Sequence, residues 1–70
     1  MSATEMALEE MTSSLTGFEE LGIEAQFGSD VNALLNNKPT IGIRSLVFTV
    51  KVREGMTAPE AKKSAMELTL

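Results

Sequence analysis

The fold of this chain depends on residues 41 to 53, which read IGIRSLVFTVKVR. Their β-branched and aromatic content favours a strand, in which alternate residues from Leu46 to Val52 would share one face. A helix fits the pattern equally well, because apolar residues also recur at spacings of three, four and seven from Ile43. A run of about twelve residues exceeds the usual strand, so we predict a helix and retain a strand at 41–52 as the alternative.

The residues on both sides of this stretch also favour a helix. Thr40 can act as the N-cap, and Gly55 follows where a helix C-terminus commonly has a glycine. Lys51 and Arg53 would lie in the last turn, where positive charges interact favourably with the helix dipole.

A first helix is predicted to begin after Ser2 or Thr4 and to end near residues 13 and 14. Its apolar residues recur at spacings of three and four, which places them on one helical face. They are Leu8, Met11 and Leu15.

Two more helices are predicted before the central stretch. Thr16 and Glu19 form a capping box at the start of the second helix, and Gly28 is the expected glycine at its C-terminus. Ser29 or Asp30 is the expected cap of a short third helix over residues 30 to 36, which is followed by a loop at 36–39.

The C-terminal part of the chain repeats the capping pattern. Thr57 is a predicted N-cap, with Pro59 in the first turn and Glu60 at the third helical position. A last helix is therefore expected from Ala58 to about Glu67. The complete pattern predicts an all-α fold, a small bundle of four to five short helices, with an α+β fold as the alternative.

The chain has few means of stabilising itself alone. Its 70 residues include no Cys and no His, which excludes disulfides and the zinc or iron sites that depend on these ligands. A domain of this size is marginal without cross-links, so packing and self-association must stabilise it. The sequence stops directly after the last predicted helix, and we expect residues 1–70 to form a single helical domain that is truncated at its C-terminus.

The composition also restricts the function. Without His, Cys, Tyr or Trp, the chain lacks the usual base near neutral pH and the thiol nucleophile, so we predict that it is not an enzyme and uses no cofactor or metal. No stretch is long and apolar enough for a membrane span.

Charge is distributed unevenly along the chain. Residues 1–37 carry seven acidic residues and no basic one, whereas residues 38–70 carry six basic and three acidic residues. The basic residues are too sparse, and have too few aromatic neighbours, for a nucleic-acid surface. The asymmetry suits contacts between the two halves or between copies of the chain.

An apolar surface for a protein partner is expected from the same pattern. Phe48 and Val52 lie off the main apolar stripe of the predicted helix at 41–53, so they need a second surface. That surface could be another helix of the same chain, a second copy or a different protein, and we expect it to be partly intermolecular. A core position is the more natural interpretation for Leu21, Ile43, Val47 and Val50 than for Phe48 and Val52. The candidate partner-binding residues are Phe18, Leu21, Ile43, Val47, Phe48, Val50 and Val52.

Four short segments stand in a particular order: LTGFEE at 15–20, RSLVF at 44–48, REGM at 53–56 and AMELTL at 65–70. In order and spacing they resemble the tail assembly chaperones of long-tailed bacteriophages, of the siphophage type. The resemblance covers about residues 15 to 70.

This resemblance implies an all-helical fold and a non-enzymatic role. Members of the family bind the tape measure protein, keep it soluble and help recruit the tail tube protein during tail assembly. They tend to form homo-oligomers in the cytoplasm of the infected host cell, so the chain is not expected in the mature virion. Family members usually continue into a further helix and an acidic tail, whereas this chain stops at Leu70.

The charge distribution suggests an alternative function, a small acidic protein-binding regulator of the inhibitor or antitoxin type. Its acidic half would mask a basic surface of a partner. Such binding would weaken steeply with ionic strength, unlike binding through apolar faces.

Overall fold

The computed structural model describes residues 10 to 69, which form five helical segments and no strand. The segments are α1 (residues 10–14), α2 (Gly17–Phe27), α3 (Val31–Asn37), α4 (Pro39–Arg53) and α5 (Ala58–Glu67). The prediction of a small all-α bundle is confirmed, and the alternative of a strand at 41–52 is wrong. No helix in the described part of the chain is long and apolar enough to cross a membrane.

The first helix ends at residue 14, as predicted. Its predicted start after Ser2 or Thr4, and its apolar residue Leu8, lie outside the described residues. Met11 and Leu15 pack against the core at partly buried positions.

The predicted caps fix the ends of α2 and the start of α3. The Glu19 backbone N–H donates to the Thr16 hydroxyl at 3.1 Å, and the Thr16 N–H donates to the Glu19 carboxylate at 2.9 Å, which completes the capping box. Gly28 ends α2 with a φ of 81°, a conformation that glycine adopts without strain. The Asp30 carboxylate accepts from the Ala33 N–H at 2.8 Å and caps α3.

The C-terminus of α5 is capped by a distant side chain. α5 begins at the predicted Thr57 cap but has no glycine at its end. The Arg44 guanidinium instead donates to the backbone carbonyls of Ala65 at 2.8 Å, Met66 at 3.2 Å and Leu68 at 2.6 Å. A positive charge at this end also interacts favourably with the helix dipole.

The connection between α3 and α4 is shorter than predicted. Lys38 is the single residue between the two helices, so the predicted loop at 36–39 is wrong, as is the predicted cap at Thr40. The helix begins at Pro39 because proline fits the first helical position, where its missing N–H is not needed.

α3 and α4 lie very close together at Gly42. A Cβ atom on this glycine would lie 2.6 Å from Leu35 Cδ2 and 2.9 Å from Leu35 Cα. Because one of these atoms belongs to the backbone, no side-chain rotation alone could make room. The glycine therefore sets the distance between the two helices.

α4 lies at the centre of the bundle, with its main contacts to α3 and α5 and further contacts to α2. Its buried face includes Ser45 and Thr49, whose hydroxyls donate to carbonyls of the same helix, Gly42 O at 2.6 Å and Ser45 O at 3.1 Å. These bonds satisfy polar groups that would be costly to bury unpaired. The buried apolar core consists of Ile23, Val31, Leu34, Leu46, Phe48, Ala61 and Ala65.

Replacing Gly42 by alanine should destabilise the protein by about 1–3 kcal/mol, the usual cost of adding a methyl group to a fully packed contact. Gly22 provides a matched control, because it also lies within a helix and a Cβ there would meet no atom within 4 Å. Gly22→Ala should raise the free energy of unfolding by about 0.5–1 kcal/mol. Urea denaturation followed by circular dichroism measures both, and equal effects of the two substitutions would contradict the close contact.

Candidate protein-binding surface

α2 presents two large apolar side chains to solvent. Phe18 is 89% exposed and Leu21 is 62% exposed. Glu20 and Glu24 are also exposed, and their spacing of four residues places them along one edge of this apolar face. Burying such side chains is worth about 1.5–3 kcal/mol each, so their exposure indicates a surface that a partner can cover.

An apolar groove of about 240 Å³ opens beside Phe18. Its walls come from α2, α4 and the start of α5, and its lining residues are Phe18, Glu19, Gly22, Phe48, Thr49, Val52 and Ala58. Among these, Glu19 alone carries a charge, and that charge is paired with Arg53. We call this groove, together with the exposed side chains of Phe18 and Leu21, the α2–α4 surface.

Arg53 holds the two sides of the α2–α4 surface together. Its Nε donates to Glu19 Oε2 at 2.6 Å and its Nη2 to Glu19 Oε1 at 2.7 Å, a bidentate pair between the end of α4 and the start of α2. Nη2 also donates to the Ser14 carbonyl oxygen at 3.2 Å. One guanidinium therefore fixes the ends of α1, α2 and α4 relative to one another.

The pair changes the acid–base behaviour of Glu19. The pKa of its carboxyl is lowered from 4.5 to about 2, chiefly by the hydrogen bonds from Arg53 and next by the bond from the Thr16 backbone. Glu19 in turn raises the pKa of Arg53. The ion pair and the α2 capping box therefore share one carboxylate that stays charged in all but strongly acidic solution.

The structure brings three of the seven candidate partner-binding residues together, because Phe18, Phe48 and Val52 line the same groove. Leu21 lies on the same helix as Phe18, and its expected core position is wrong. Val50 is 37% exposed and does not line the groove, so the core interpretation is wrong for it too. Ile43 and Val47 are partly buried.

The expectation that Phe48 faces outward is also wrong. Its side chain is 4% exposed, and its ring lies edge-on against Phe27 with centroids 5.5 Å apart. The sequence pattern placed the buried face of α4 on its large apolar residues, whereas that face is centred on the small residues Gly42, Ser45 and Thr49. Phe48 forms part of the floor of the groove and part of the core.

The sequence pattern also missed the residues that create the groove. Gly22 and Ala58 leave space because their side chains are small, and a small residue contributes little to a hydrophobic pattern. One signal was present, since Gly22 follows Phe18 by a single helical turn and so leaves one side of that ring uncovered.

No protein-family model matches the chain, and neither a curated protein nor a solved structure matches it significantly. Within residues 10–69, no three carboxylates lie close enough together to hold a metal ion. The description of the site therefore rests on its geometry, which is that of exposed apolar side chains beside an apolar groove.

Acidification should remove the contribution of Glu19 to stability. Because its pKa is about 2 in the folded protein and 4.5 in the reference state, that contribution is complete above about pH 4.5 and is lost as the pH falls towards 2. Thermal unfolding of wild type and Glu19→Gln, followed from about pH 6 to pH 2.5, should show the two midpoints converging over this interval.

Glu20→Gln is the matched control for the acid titration, because Glu20 is exposed on the neighbouring position of α2. If Glu20→Gln reproduced the convergence seen with Glu19→Gln, the effect would come from net charge and not from the ion pair with Arg53. A constant difference between wild type and Glu19→Gln across the interval would show that the ion pair does not stabilise the fold.

Truncation of the two phenylalanines of the α2–α4 surface should have very different effects on the free energy of unfolding. Phe48→Ala should cost about 3–5 kcal/mol, comparable to the whole stability of so small a domain, and should abolish most of the helical signal. Phe18→Ala should change the unfolding free energy by no more than about 0.5 kcal/mol. Circular dichroism and urea denaturation of both variants test this assignment of core and surface.

Proposed function

We propose that this protein is a non-enzymatic tail assembly chaperone of a long-tailed bacteriophage, which binds the tape measure protein and keeps it soluble. The observation that carries the proposal is the 89% exposed Phe18 ring beside an apolar groove. The proposed partner comes from the resemblance of the four segments between residues 15 and 70. The proposal includes action in the cytoplasm of the infected host, outside the mature virion.

The α2–α4 surface suits an amphipathic helix as the bound segment. A helix lying along α2 can cover Phe18 and Leu21 while one of its apolar side chains enters the groove, as in other helix-in-groove interactions. The exposed carboxylates of Glu20 and Glu24 favour a partner helix with basic residues along the adjacent edge. The tape measure protein, which is long and largely helical in the related systems, offers many such segments.

The other proposed partners are the tail tube protein and further copies of this chain. They rest on the resemblance and, for the copies, on the thin core of a chain of 70 residues without cysteine. The tape measure protein is the partner tested, because amphipathic helical segments suit the α2–α4 surface.

The experiment is co-expression of the chain with the tape measure protein of the same genome. Phe18→Ser combined with Leu21→Ser should reduce the soluble fraction of the tape measure protein several-fold, because both anchors of the α2–α4 surface are lost. The variant itself should keep its circular dichroism spectrum, since both side chains are exposed.

Leu68→Ser is the matched control, because Leu68 is an apolar side chain that is 40% exposed away from the groove. It should keep the tape measure protein as soluble as wild type does. If the double variant also does so, or if wild type fails to solubilise the tape measure protein, the proposed function is wrong.

The alternative function, an acidic regulator, has one observation in its favour, the exposed carboxylates of Glu20 and Glu24. The carboxylate of Glu19 cannot contribute to an acidic surface in the same way, because it is already paired with Arg53. Ionic strength separates the two functions, since apolar binding should change little with salt and acidic masking should weaken steeply.

A further inference from the structure

A second cleft lies at the opposite end of α2 from Phe18. It has a volume of about 370 Å³ and is formed by the end of α2, by α3, by the start of α4 and by α5. Its apolar part consists of Phe27, Ala33, Leu34, Ile41 and Met66. This volume is within the range of about 300–1,000 Å³ typical of binding pockets.

The polar lining of this cleft is basic or neutral. Lys38 and Lys62 line it, and none of the described residues that do so carries a carboxylate, although the chain as a whole has a net charge of −4. Within the described chain, neither ammonium group forms an ion pair with a carboxylate. Lys62 Nζ lies 5.9 Å from the centroid of the Phe27 ring, a cation–π contact that holds one positive charge beside the apolar floor.

Two amides, Gln26 and Asn37, and the hydroxyl residue Ser29 also line the cleft. A carboxamide both donates and accepts hydrogen bonds, so these side chains can bind the N–H and C=O groups of a peptide backbone. A fatty-acid carboxylate offers only acceptors and so pairs with the amide N–H groups alone, whereas a peptide backbone can pair with both polar groups of each amide. Phe27 is engaged by Phe48 and Lys62, so its ring is poorly placed to stack on a nucleic-acid base.

We propose that this cleft binds an acidic peptide segment of a partner protein, in which a carboxylate side chain stands next to an apolar one. The apolar side chain occupies the floor beside Phe27 and Ile41, and the carboxylate lies between Lys38 and Lys62. The surface is separate from the α2–α4 surface in its lining and opposite in charge preference. The inference does not rest on the proposed function, because it uses none of the residues that carry that function.

The test begins with selection of random peptides displayed on phage, with the Phe18→Ser, Leu21→Ser variant as bait so that the α2–α4 surface cannot select them. Enriched peptides should contain Asp or Glu within two residues of Leu, Ile, Phe or Met. Enrichment of basic peptides, or of none, would overturn the proposal.

The enriched peptides are then synthesised and titrated against two charge variants of equal net charge. Lys38→Glu with Lys62→Glu should weaken binding by at least about tenfold, because attraction to the carboxylate becomes repulsion. Lys51→Glu with Lys63→Glu, at positions outside the cleft, should change the affinity by less than about threefold. If both variants weakened peptide binding equally, binding would depend on net charge alone, and the proposal of a site in this cleft would be wrong.

Two non-peptide probes complete the experiment, decanoate and a single-stranded oligothymidylate. Neither should bind saturably at concentrations where the peptides do. Binding of either probe that is lost in the Lys38→Glu, Lys62→Glu variant would assign the cleft to that ligand class and overturn the peptide proposal. Circular dichroism of each variant confirms that any loss of binding occurs in a folded protein.

Discussion

The central position of α4 is the constraint on which the rest of the structure depends. Because α2, α3 and α5 all pack on this helix, it must present a packing surface on several sides at once. A single-residue connection to α3 forces the closest approach, and Gly42 makes that approach possible. In so small a domain, small residues on the central helix make space for the neighbouring helices. Hydroxyl side chains can be buried there because they donate hydrogen bonds to carbonyls of the same helix.

This constraint also explains how far the sequence could predict the fold. The starts of α2, α3 and α5 were predictable because each is set by a local cap at Thr16, Asp30 or Thr57. α4 was ambiguous because a helix buried on several sides lacks a clear apolar stripe. Its buried face was misplaced because the pattern weighs large apolar residues, whereas close packing here uses Gly42 and Ser45. The contacts of Arg44 and Arg53 join residues more than 20 positions apart, and no local pattern predicts such contacts.

The candidate site was predictable in its chemistry and only partly in its residues. Phe18 and Val52 were identified from sequence and lie at one groove. Phe48 was identified for the wrong reason, since it supports the groove from within the core. The two arginines of the segments that resemble tail assembly chaperones, Arg44 and Arg53, stabilise the arrangement of helices. Those segments therefore contain residues that hold the bundle together, and the segment at 15–20 also contains the exposed Phe18.

The bidentate contact of Arg53 with Glu19 has a consequence for motion. Contacts of α2 with the other helices are sparser than those that join α3, α4 and α5, and its N-terminus is fastened chiefly by this one ion pair. In hydrogen-exchange terms, the amides at the N-terminal end of α2 are those whose opening this ion pair opposes most directly. Fraying of this end would move Phe18 relative to the groove, so the guanidinium that shapes the surface also opposes its distortion.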